Sequence, residues 1–275
     1  MGKQIEALNL EDDFLFAKVM SDQEICRKVL EKILNIPIKK VVLTNSQRTI
    51  DMLLESKGIR LDVYVSDEEG TVYNCEMQRG RHKELPKRSR YYQGNIDLDL
   101  IAAGEPYEKL KNSFVIFICT FDPFNEDRHL YTFRNYCEEI PHLHLGDGTT
   151  KVFLNTKGKI KDVDDEMKEF LAYVENSTDD FAAQAKSPLI KEIHKKVTEV
   201  KHSEELEAEY MTLLQRDREN REIGREEGLE EGLELGTRQM AILTKQLIKA
   251  KRFQDLERAT DDDEYRKKLY QELGI

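Results

Sequence analysis

The sequence predicts an α/β domain, in which a mixed sheet is flanked by helices, followed by an α-helical C-terminal extension. Two observations lead to this fold class. Short apolar, β-branched and aromatic runs alternate with longer stretches of helical periodicity up to about residue 187, whereas charged residues dominate beyond Pro188 and no strand pattern follows. A chain of 275 residues can form one large core with an appendage. We therefore expect one domain over residues 1–187 and a charged helical region over residues 188–275.

The predicted elements of the first region follow the order helix, strand, strand, strand, helix, strand. Ser21 and Glu24 have the spacing of a capping box, which opens a helix that runs towards Leu34 and stops before Pro37. The remaining predicted elements are strands at 40–44, 59–65 and 71–78, a helix from 85 to 104, strands at 114–121 and 151–155, and a helix near 165–175.

Charge is unevenly distributed along the chain. The net charge is −11, and residues 201–236 alone contain twelve Asp/Glu against five Lys/Arg. The N-terminus has acidic residues where an export signal needs a basic and then an apolar region. The longest apolar run, FVIFICTF at 114–121, is far shorter than a membrane span. We therefore expect a cytoplasmic protein with no membrane segment, whose four cysteines are free thiols.

Two carboxylates stand in the strand pair where a buried strand would prefer apolar residues. Side chains alternate between the two faces of a strand, so Asp62 faces away from the apolar residues on either side of it. A five-residue turn at 66–70 would place Asp62 opposite Asn74 and leave Glu76 on the diagonal, about 7–8 Å away. A four-residue turn would instead place the two carboxylates on opposite faces. The shared site therefore depends on the register of the hairpin.

Carboxylates on neighbouring strands suit a hard cation that takes oxygen ligands. This favours Mg²⁺ or Mn²⁺ over zinc, with the backbone carbonyl of Met77 as a further ligand. The alternative is that both acids form ordinary salt bridges, Asp62 with Arg60 or Arg90 and Glu76 with a basic residue of the following helix.

A basic segment, RGRHKELPKRSR at 79–90, follows the acidic strand directly. It contains six Lys/Arg and one Glu, in a protein that is acidic overall. A concentrated basic patch beside a metal site is expected where a phosphate backbone binds, and neighbouring tyrosines can stack or form hydrogen bonds. The alternative is a solvated helix face. The candidate DNA-binding residues are Arg81, Lys87, Arg88, Tyr91 and Tyr92.

Several motifs together resemble a known family. They are LEDDFLFAKVM near the start, RLDVYV, NCEMQ, LPKRSRYYQGNIDLDLIAAGEPYEKL, FVIFICTFDPF and FLNTKG, spread over residues 8–175. In these motifs the chain resembles the PD-(D/E)XK nuclease superfamily and, within it, the recombination-promoting nuclease/transposase family. The repeat REEGLEEGLELG is similar to the C-terminal region of that family.

The resemblance implies a restriction-endonuclease-like core and assigns roles to individual residues. Asp62 matches the family's first metal-binding acid, Glu76 the second, and Asp13 an acid near the same ion. Gln78 stands where the wider superfamily has lysine, as is usual in this family. Glutamine can orient a water molecule through its amide but supplies no positive charge. The resemblance therefore implies that Asp62, Glu76 and Gln78 are catalytic.

Two functions remain open at this point. The resemblance implies a metal-dependent DNA endonuclease that hydrolyses phosphodiester bonds with Mg²⁺ or Mn²⁺ and has a link to recombination or mobile elements. The alternative is a catalytically weak nuclease-fold module that binds DNA and self-associates through its helical tail.

The tail contains glycines at a four-residue period, at positions 224, 228, 232 and 236. Each costs a helix about 1 kcal/mol relative to alanine. They either form a smooth face that a partner helix approaches closely or mark a solvated linker. Beyond a helix that ends near Gly236, RQMAILTKQLIKAKRF and DDEYRKKLYQEL predict a small helical pair. We expect the chain to form a homo-oligomer through these C-terminal helices.

Overall fold

The computed structural model describes residues 4–43, 62–81 and 83–275. Residues 44 and 59–61, which belong to two predicted strands, lie outside the described residues. The chain divides into two compact units, Met1–Tyr210 and Met211–Ile275. The predicted boundary between residues 187 and 188 stays a prediction.

One mixed sheet forms the centre of the first unit. Within the described residues it has six strands: β1 (Val41–Leu43), β2 (Val63–Asp67), β3 (Val72–Gln78), β4 (Ser113–Cys119), β5 (Leu130–Phe133) and β6 (Thr149–Asn155). Their spatial order is β1-β2-β3-β4-β6-β5. The three central strands β3, β4 and β6 run parallel, while β1, β2 and β5 pair antiparallel with their neighbours. This arrangement confirms the predicted fold class.

Helices follow the same chain order. They are α1 (Asp13–Met20), α2 (Gln23–Leu34), α3 (Leu85–Leu100), α4 (Asp165–Glu175), α5 (Asp179–Gln184), α6 (Pro188–Lys201), α7 (Glu204–Lys249), α8 (Phe253–Asp261) and α9 (Asp263–Leu273). Helices α1, α2 and α6 pack against one another, and α3 packs against β4. None of the helices in the described part of the chain is both long enough and apolar enough to span a membrane.

An aromatic stack fixes α3 on the sheet. The rings of Phe117 in β4 and Phe153 in β6 lie 5.3 Å apart, and the ring of Tyr92 in α3 lies 5.9 Å from Phe117. All three side chains are buried. Aromatic contacts of this kind bury large apolar areas and restrict orientation. The first half of α3 is therefore held over the face of the sheet that carries Glu76 and Gln78.

The cap of α2 differs from the prediction. Asp22 is the N-cap: its Oδ1 accepts hydrogen bonds from the backbone N–H groups of Glu24 (3.1 Å) and Ile25 (3.2 Å). Ser21 has helical backbone angles and ends α1, and its hydroxyl donates to the Lys18 carbonyl at 2.6 Å. An N-cap needs an extended backbone, which Asp22 has and Ser21 lacks. The predicted capping box was wrong by one residue.

The other predicted ends of helices and strands lie close to those in the structure. Helix α3 ends at Leu100, not at Gly104, because the backbone of Ile101 is extended. Strand β4, strand β6 and helix α4 lie where the sequence predicted them, to within two residues. Strand β5 and helix α5 were not predicted. Each is six residues or shorter, and β5 has two exposed residues, so neither carries a strong periodic pattern.

The tail is more continuous than predicted. Helix α7 has 46 residues and passes through all four glycines of the repeat. The predicted end near Gly236 was wrong, because the intervening Glu, Leu and Arg residues favour a helix strongly enough to offset the glycines. The segment RQMAILTKQLIKAKRF therefore completes α7, apart from its last four residues. Beyond it, α8 and α9 fold back to form a small core from Leu243, Leu247, Ala259 and Leu269.

Candidate active site

Strands β2 and β3 place Asp62 and Glu76 opposite each other. The pairs Val63↔Cys75 and Tyr64↔Asn74 define the register, whose next step pairs Asp62 with Glu76. Two hydrogen bonds join the acids to the backbone. The N–H of Asp62 donates to Glu76 Oε1 (3.3 Å), and the N–H of Met77 donates to Asp62 Oδ2 (2.8 Å). The two carboxylates therefore lie on one face, at the same level of the hairpin.

The predicted pairing of Asp62 with Asn74 was wrong by two residues. Strand β2 continues to Asp67, whose N–H donates to the Thr71 carbonyl at 3.0 Å and closes a tighter turn than the one predicted. Asp67 Oδ1 also accepts from the N–H of Glu69 and of Thr71, both at 2.9 Å, and Gly70 takes the positive φ of 83° that the turn requires. A shift of two residues preserves the face of every side chain. The two acids are consequently closer than expected, and still on the same face.

Glu76 is a buried carboxylate, with only 3% of the residue exposed, whereas Asp62 is half-buried. Burial and, after it, the neighbouring Asp62 carboxylate raise the pKa of Glu76 to about 8. In the orientation that satisfies its amide, Asn74 donates to the Val63 carbonyl (3.2 Å) and to Glu76 Oε1 (3.1 Å). The pair therefore favours binding either a proton or a cation.

The donor set fits a hard divalent cation. Asp62 and Glu76 present only carboxylate oxygens, the ligand type that Mg²⁺ and Mn²⁺ prefer. Across the described residues, no group of three or more His, Cys, Asp or Glu side chains is arranged to hold a metal, so carbonyl oxygens or water would complete the coordination. The Met77 carbonyl stays a prediction as a ligand. Asp13 is exposed in the first turn of α1, and its role also stays a prediction.

Gln78 is engaged by an arginine from α3. Arg88 Nη1 donates to Gln78 Oε1 at 2.6 Å, while Gln78 Nε2 donates to the Gly80 carbonyl at 2.9 Å. Arg88 Nη2 donates to the hydroxyl of Tyr92 (2.7 Å) and lies 3.9 Å from Glu76 Oε2. The Tyr92 hydroxyl in turn donates to Glu76 Oε2 at 3.4 Å. A guanidinium therefore stands beside the glutamine that replaces the superfamily's lysine.

This contact also bears on the salt-bridge alternative. Glu76 does form an ion pair with a basic residue of the following helix, namely Arg88. The pair is long, and it leaves the Glu76 carboxylate facing Asp62. Glu76 can therefore contact Arg88 and share a cation with Asp62 in the same side-chain arrangement.

The two candidate tyrosines are separated by the helix. Tyr92 is 3% exposed and points to the acids, whereas Tyr91 is 41% exposed. Consecutive residues of a helix project about 100° apart, so only one of the two can face the sheet. Lys87 is exposed, as Tyr91 is. The structure brings Arg88 and Tyr92 to the carboxylates and leaves Lys87 and Tyr91 on the solvent side of α3.

Arg81 lies at a loop that the sequence did not single out. Its Nη2 donates to the Asp122 carbonyl (3.2 Å) and to Asn125 Oδ1 (2.8 Å), in the loop after β4. The Asp122 side chain organises that loop by accepting from the N–H groups of Phe124, Asn125 and Asp127 at 2.7–3.0 Å. The DPFN sequence, with Asp before Pro and Asn at a positive φ, is a turn signal that could have indicated it.

A second acid near the site was also missed. Asp12 caps α1 by accepting from the N–H of Phe14 at 3.2 Å, and its Oδ2 accepts from Arg79 Nη1 at 3.0 Å. Arg79 follows β3 directly, so this ion pair connects the start of α1 to the end of the strand that carries Glu76. Asp12 and the candidate Asp13 are adjacent, and the motif LEDD alone does not distinguish them.

The comparison with known proteins agrees with this geometry. The family described as "PD-(D/E)XK nuclease family transposase" matches residues 11–226, well over half of the chain. No curated protein and no solved structure matches the chain significantly. The matched region includes the whole sheet and every candidate residue at its carboxylate pair. The chain therefore belongs to the family of PD-(D/E)XK nuclease family transposases.

Proposed function

We propose that this protein is a metal-dependent DNA endonuclease whose Mg²⁺ or Mn²⁺ is held by Asp62 and Glu76. The observation that carries the proposal is the buried Glu76 carboxylate opposite Asp62, in a chain of a nuclease family. When bound, the ion would lower the pKa of a water molecule and polarise a phosphoryl oxygen. The Met77 carbonyl and Asp13 are the proposed additional ligands.

Arg88 is the proposed phosphate-binding residue. Its side chain is 35% exposed, and its Nη1 and Nη2 donate to Gln78 and Tyr92, so the side chain is held in place while part of it is open to solvent. A guanidinium binds a phosphate through two parallel hydrogen bonds. Its positive charge also offsets the repulsion between a phosphodiester and the two carboxylates. Tyr92 holds Arg88 in this orientation through its hydroxyl.

Gln78 has a supporting role in this proposal. Its carbonyl oxygen positions Arg88, and its amide nitrogen is available to a water molecule if the hydrogen bond to Gly80 opens. The cation that lysine supplies in the E-x-K pattern comes instead from α3. In this chain a positive charge therefore stays beside the acids although residue 78 is a glutamine.

The DNA backbone would extend over the exposed basic face of α3 and the segment before it. Lys83, Lys87 and Arg90 are exposed and form no ion pair among the residues that the structure describes. Tyr91 is available beside them for stacking. Contacts of this type bind phosphates without reading sequence, so we expect the protein to cleave DNA with little sequence preference.

The test is the conversion of supercoiled plasmid to nicked and linear forms in Mg²⁺, Mn²⁺ or EDTA. Glu76→Gln removes the charge at nearly unchanged size, and Glu84→Gln is the matched control, because Glu84 is exposed at the start of α3 without a side-chain cap hydrogen bond. We expect metal-dependent cleavage by the wild type and by Glu84→Gln, and none by Glu76→Gln. Equal cleavage by both variants would contradict the proposal.

The binding-module alternative also has an observation in its favour. Both polar atoms of the Gln78 amide have protein partners, and Arg88 is already paired with Glu76. A site whose polar groups already have hydrogen-bond and ion-pair partners within the protein gains less from binding a substrate. If the wild type cuts under no metal but retards DNA in a gel, the binding-module reading replaces the endonuclease.

A further inference from the structure

The last third of α7 forms one wall of an open groove in the second unit. The groove has a volume of about 1270 Å³, and its other wall comes from α8 and α9 through Thr260, Arg266 and Tyr270. Several apolar side chains of α7 lie at or beside it without cover: Leu233 is 65% exposed and Ile248 is 50% exposed. An apolar surface of this kind on a soluble chain indicates a contact site.

Charge along α7 is segregated into two opposite blocks. Residues 226–234 contain five Glu and no Lys or Arg, whereas residues 235–249, which end the helix, contain three Lys/Arg and no Asp or Glu. The midpoints of the blocks lie about 18 Å apart along a straight helix, too far for ion pairs between them. Among the residues that the structure describes, the five glutamates, Lys245 and Lys249 form no ion pair, whereas Arg252 is paired with Asp255 and Glu272.

Two glutamates of the acidic block, Glu226 and Glu230, project to the same side of α7 as the groove. At 100° per residue, Glu226 and Glu230 lie within about 20° of Thr237 around the helix axis. Thr237 lines the groove, as do Lys245 and Lys249. The groove therefore carries basic side chains at its rim, and its open end continues into an acidic helix surface.

We propose that α7 pairs antiparallel with α7 of a second copy of this chain, about a two-fold axis near Thr237. In this register Glu230 lies opposite Lys245 and Glu226 opposite Lys249, and the symmetry repeats both pairs. A parallel pair would place glutamates opposite glutamates and lysines opposite lysines. The charge pattern is complementary to itself only in the antiparallel arrangement, which is why a second copy, and not a foreign partner, is the occupant.

The region around the proposed axis has room for a second helix. A Cβ added at Gly232 or Gly236 would meet no atom within 4 Å. The apolar groove would then be covered by Leu229 and Leu233 of the partner copy. This inference goes beyond the proposed nuclease function and does not depend on it.

The first test is the mass of the full-length protein by light scattering. We expect twice the chain's 32.2 kDa for the wild type. Two charge reversals, Glu226→Lys with Glu230→Lys and Lys245→Glu with Lys249→Glu, should each give a monomer, because like charges then face each other at both ends. An equimolar mixture of the two variants should give the doubled mass again. Asp217→Lys with Glu219→Lys, outside the paired segment of the same helix, is the control and should remain a dimer.

Each outcome decides the proposal, and circular dichroism shows whether a variant has kept its helix. A wild type of any mass other than the dimer would overturn it, as would dimeric charge-reversal variants or a mixture that stays monomeric. A variant that loses helix as a monomer and regains it on mixing supports the pairing.

Cysteine crosslinking separates antiparallel from parallel pairing. In a Cys137→Ser background, where the remaining cysteines are buried, Thr237→Cys lies near the proposed axis and should form an intermolecular disulfide under mild oxidation. Thr244→Cys lies on the same face but should not crosslink, because its antiparallel counterpart is residue 231. Crosslinking at Thr244→Cys would overturn the antiparallel register, because a parallel pair brings each position next to its own copy, and absence of crosslinking at Thr237→Cys would overturn it as well.

Discussion

Charged residues are organised in opposite ways in the two units of this chain. In the first unit, Glu76 is buried against Asp62, and Arg88, Tyr92 and Asn74 all contact it. In the second unit, the charges of residues 226–249 in α7 are exposed and separated by sign along the helix. Buried like charges are unfavourable unless a ligand offsets them, whereas exposed segregated charges cost little alone. The first pattern indicates a ligand site, and the second indicates a surface for association.

Glycines show the same contrast. A Cβ at Gly158, in the first unit, would lie 2.5 Å from His129 Cγ and 2.7 Å from the His129 backbone nitrogen. A Cβ at Gly224 in α7 would meet nothing within 4 Å. Gly158 in the first unit permits close packing, whereas Gly224 in α7 leaves space beside the helix. The predictions below test this contrast, beginning with the largest expected effect.

The largest effect is expected at the carboxylate pair. Glu76→Gln and Asp62→Asn should each lower plasmid cleavage by about 10³-fold or more, because each removes one of the two proposed charged metal ligands. Neither change should alter the mass measured by light scattering. If either variant cleaved plasmid as fast as the wild type, the proposed active site at Asp62 and Glu76 would be wrong.

The next effect concerns stability without metal. The raised pKa of Glu76 means that the folded state keeps a proton which the unfolded state loses. This contribution to the free energy of unfolding is complete below about pH 4.5 and is lost as the pH rises towards 8. In EDTA the wild type should therefore lose about 3 kcal/mol more than Glu76→Gln between pH 5 and pH 8.5, as measured by chemical denaturation. Parallel pH profiles for the two proteins would contradict a buried, proton-binding Glu76.

Gly158→Ala should destabilise the first unit by about 2 kcal/mol or more, since the new methyl group overlaps the ring and backbone of His129. Urea denaturation measures the change. An unchanged midpoint would show that His129 moves away at little cost.

A smaller effect, about tenfold in rate, is expected at Gln78. In the wild type the Arg88 guanidinium donates to Gln78 Oε1 at 2.6 Å. Gln78→Lys would place a positively charged ammonium against that guanidinium. We expect Gln78→Lys to lower cleavage and the combination with Arg88→Gln to recover it. Higher activity of Gln78→Lys alone would instead indicate that Arg88 does not supply the missing charge.

The smallest effect is expected in the helix. Gly224→Ala should stabilise the second unit by about 1 kcal/mol, because alanine favours the helix and has room for its methyl group. A thermal melt followed by circular dichroism measures it. Destabilisation would show that the position is covered in solution.

Much of the fold was predictable from local pattern. The buried runs of β4 and β6 and the helical periodicity of α3 are strong signals, and each of these elements has seven or more residues. That Asp62 and Glu76 share a face in one of the two hairpin registers considered also followed from the two-residue period of a strand. The register did not, because it depends on how Asp67 closes the turn with its side chain and backbone. The short elements β5 and α5 lack a pattern long enough to stand out.

The sequence by itself determined the mixed α/β class and the opposite charge blocks within residues 226–249, because both depend only on residue order and period. The closure of the hairpin turn at Asp67 decided that the two carboxylates share one face. The tertiary structure decided which basic residue reaches the acids. Arg88 and Tyr92 do so and Lys87 and Tyr91 do not, since the aromatic stack on Phe117 fixes the rotation of α3. It also decided that Glu76 is buried, because burial depends on the helix packed above it and not on the strand alone.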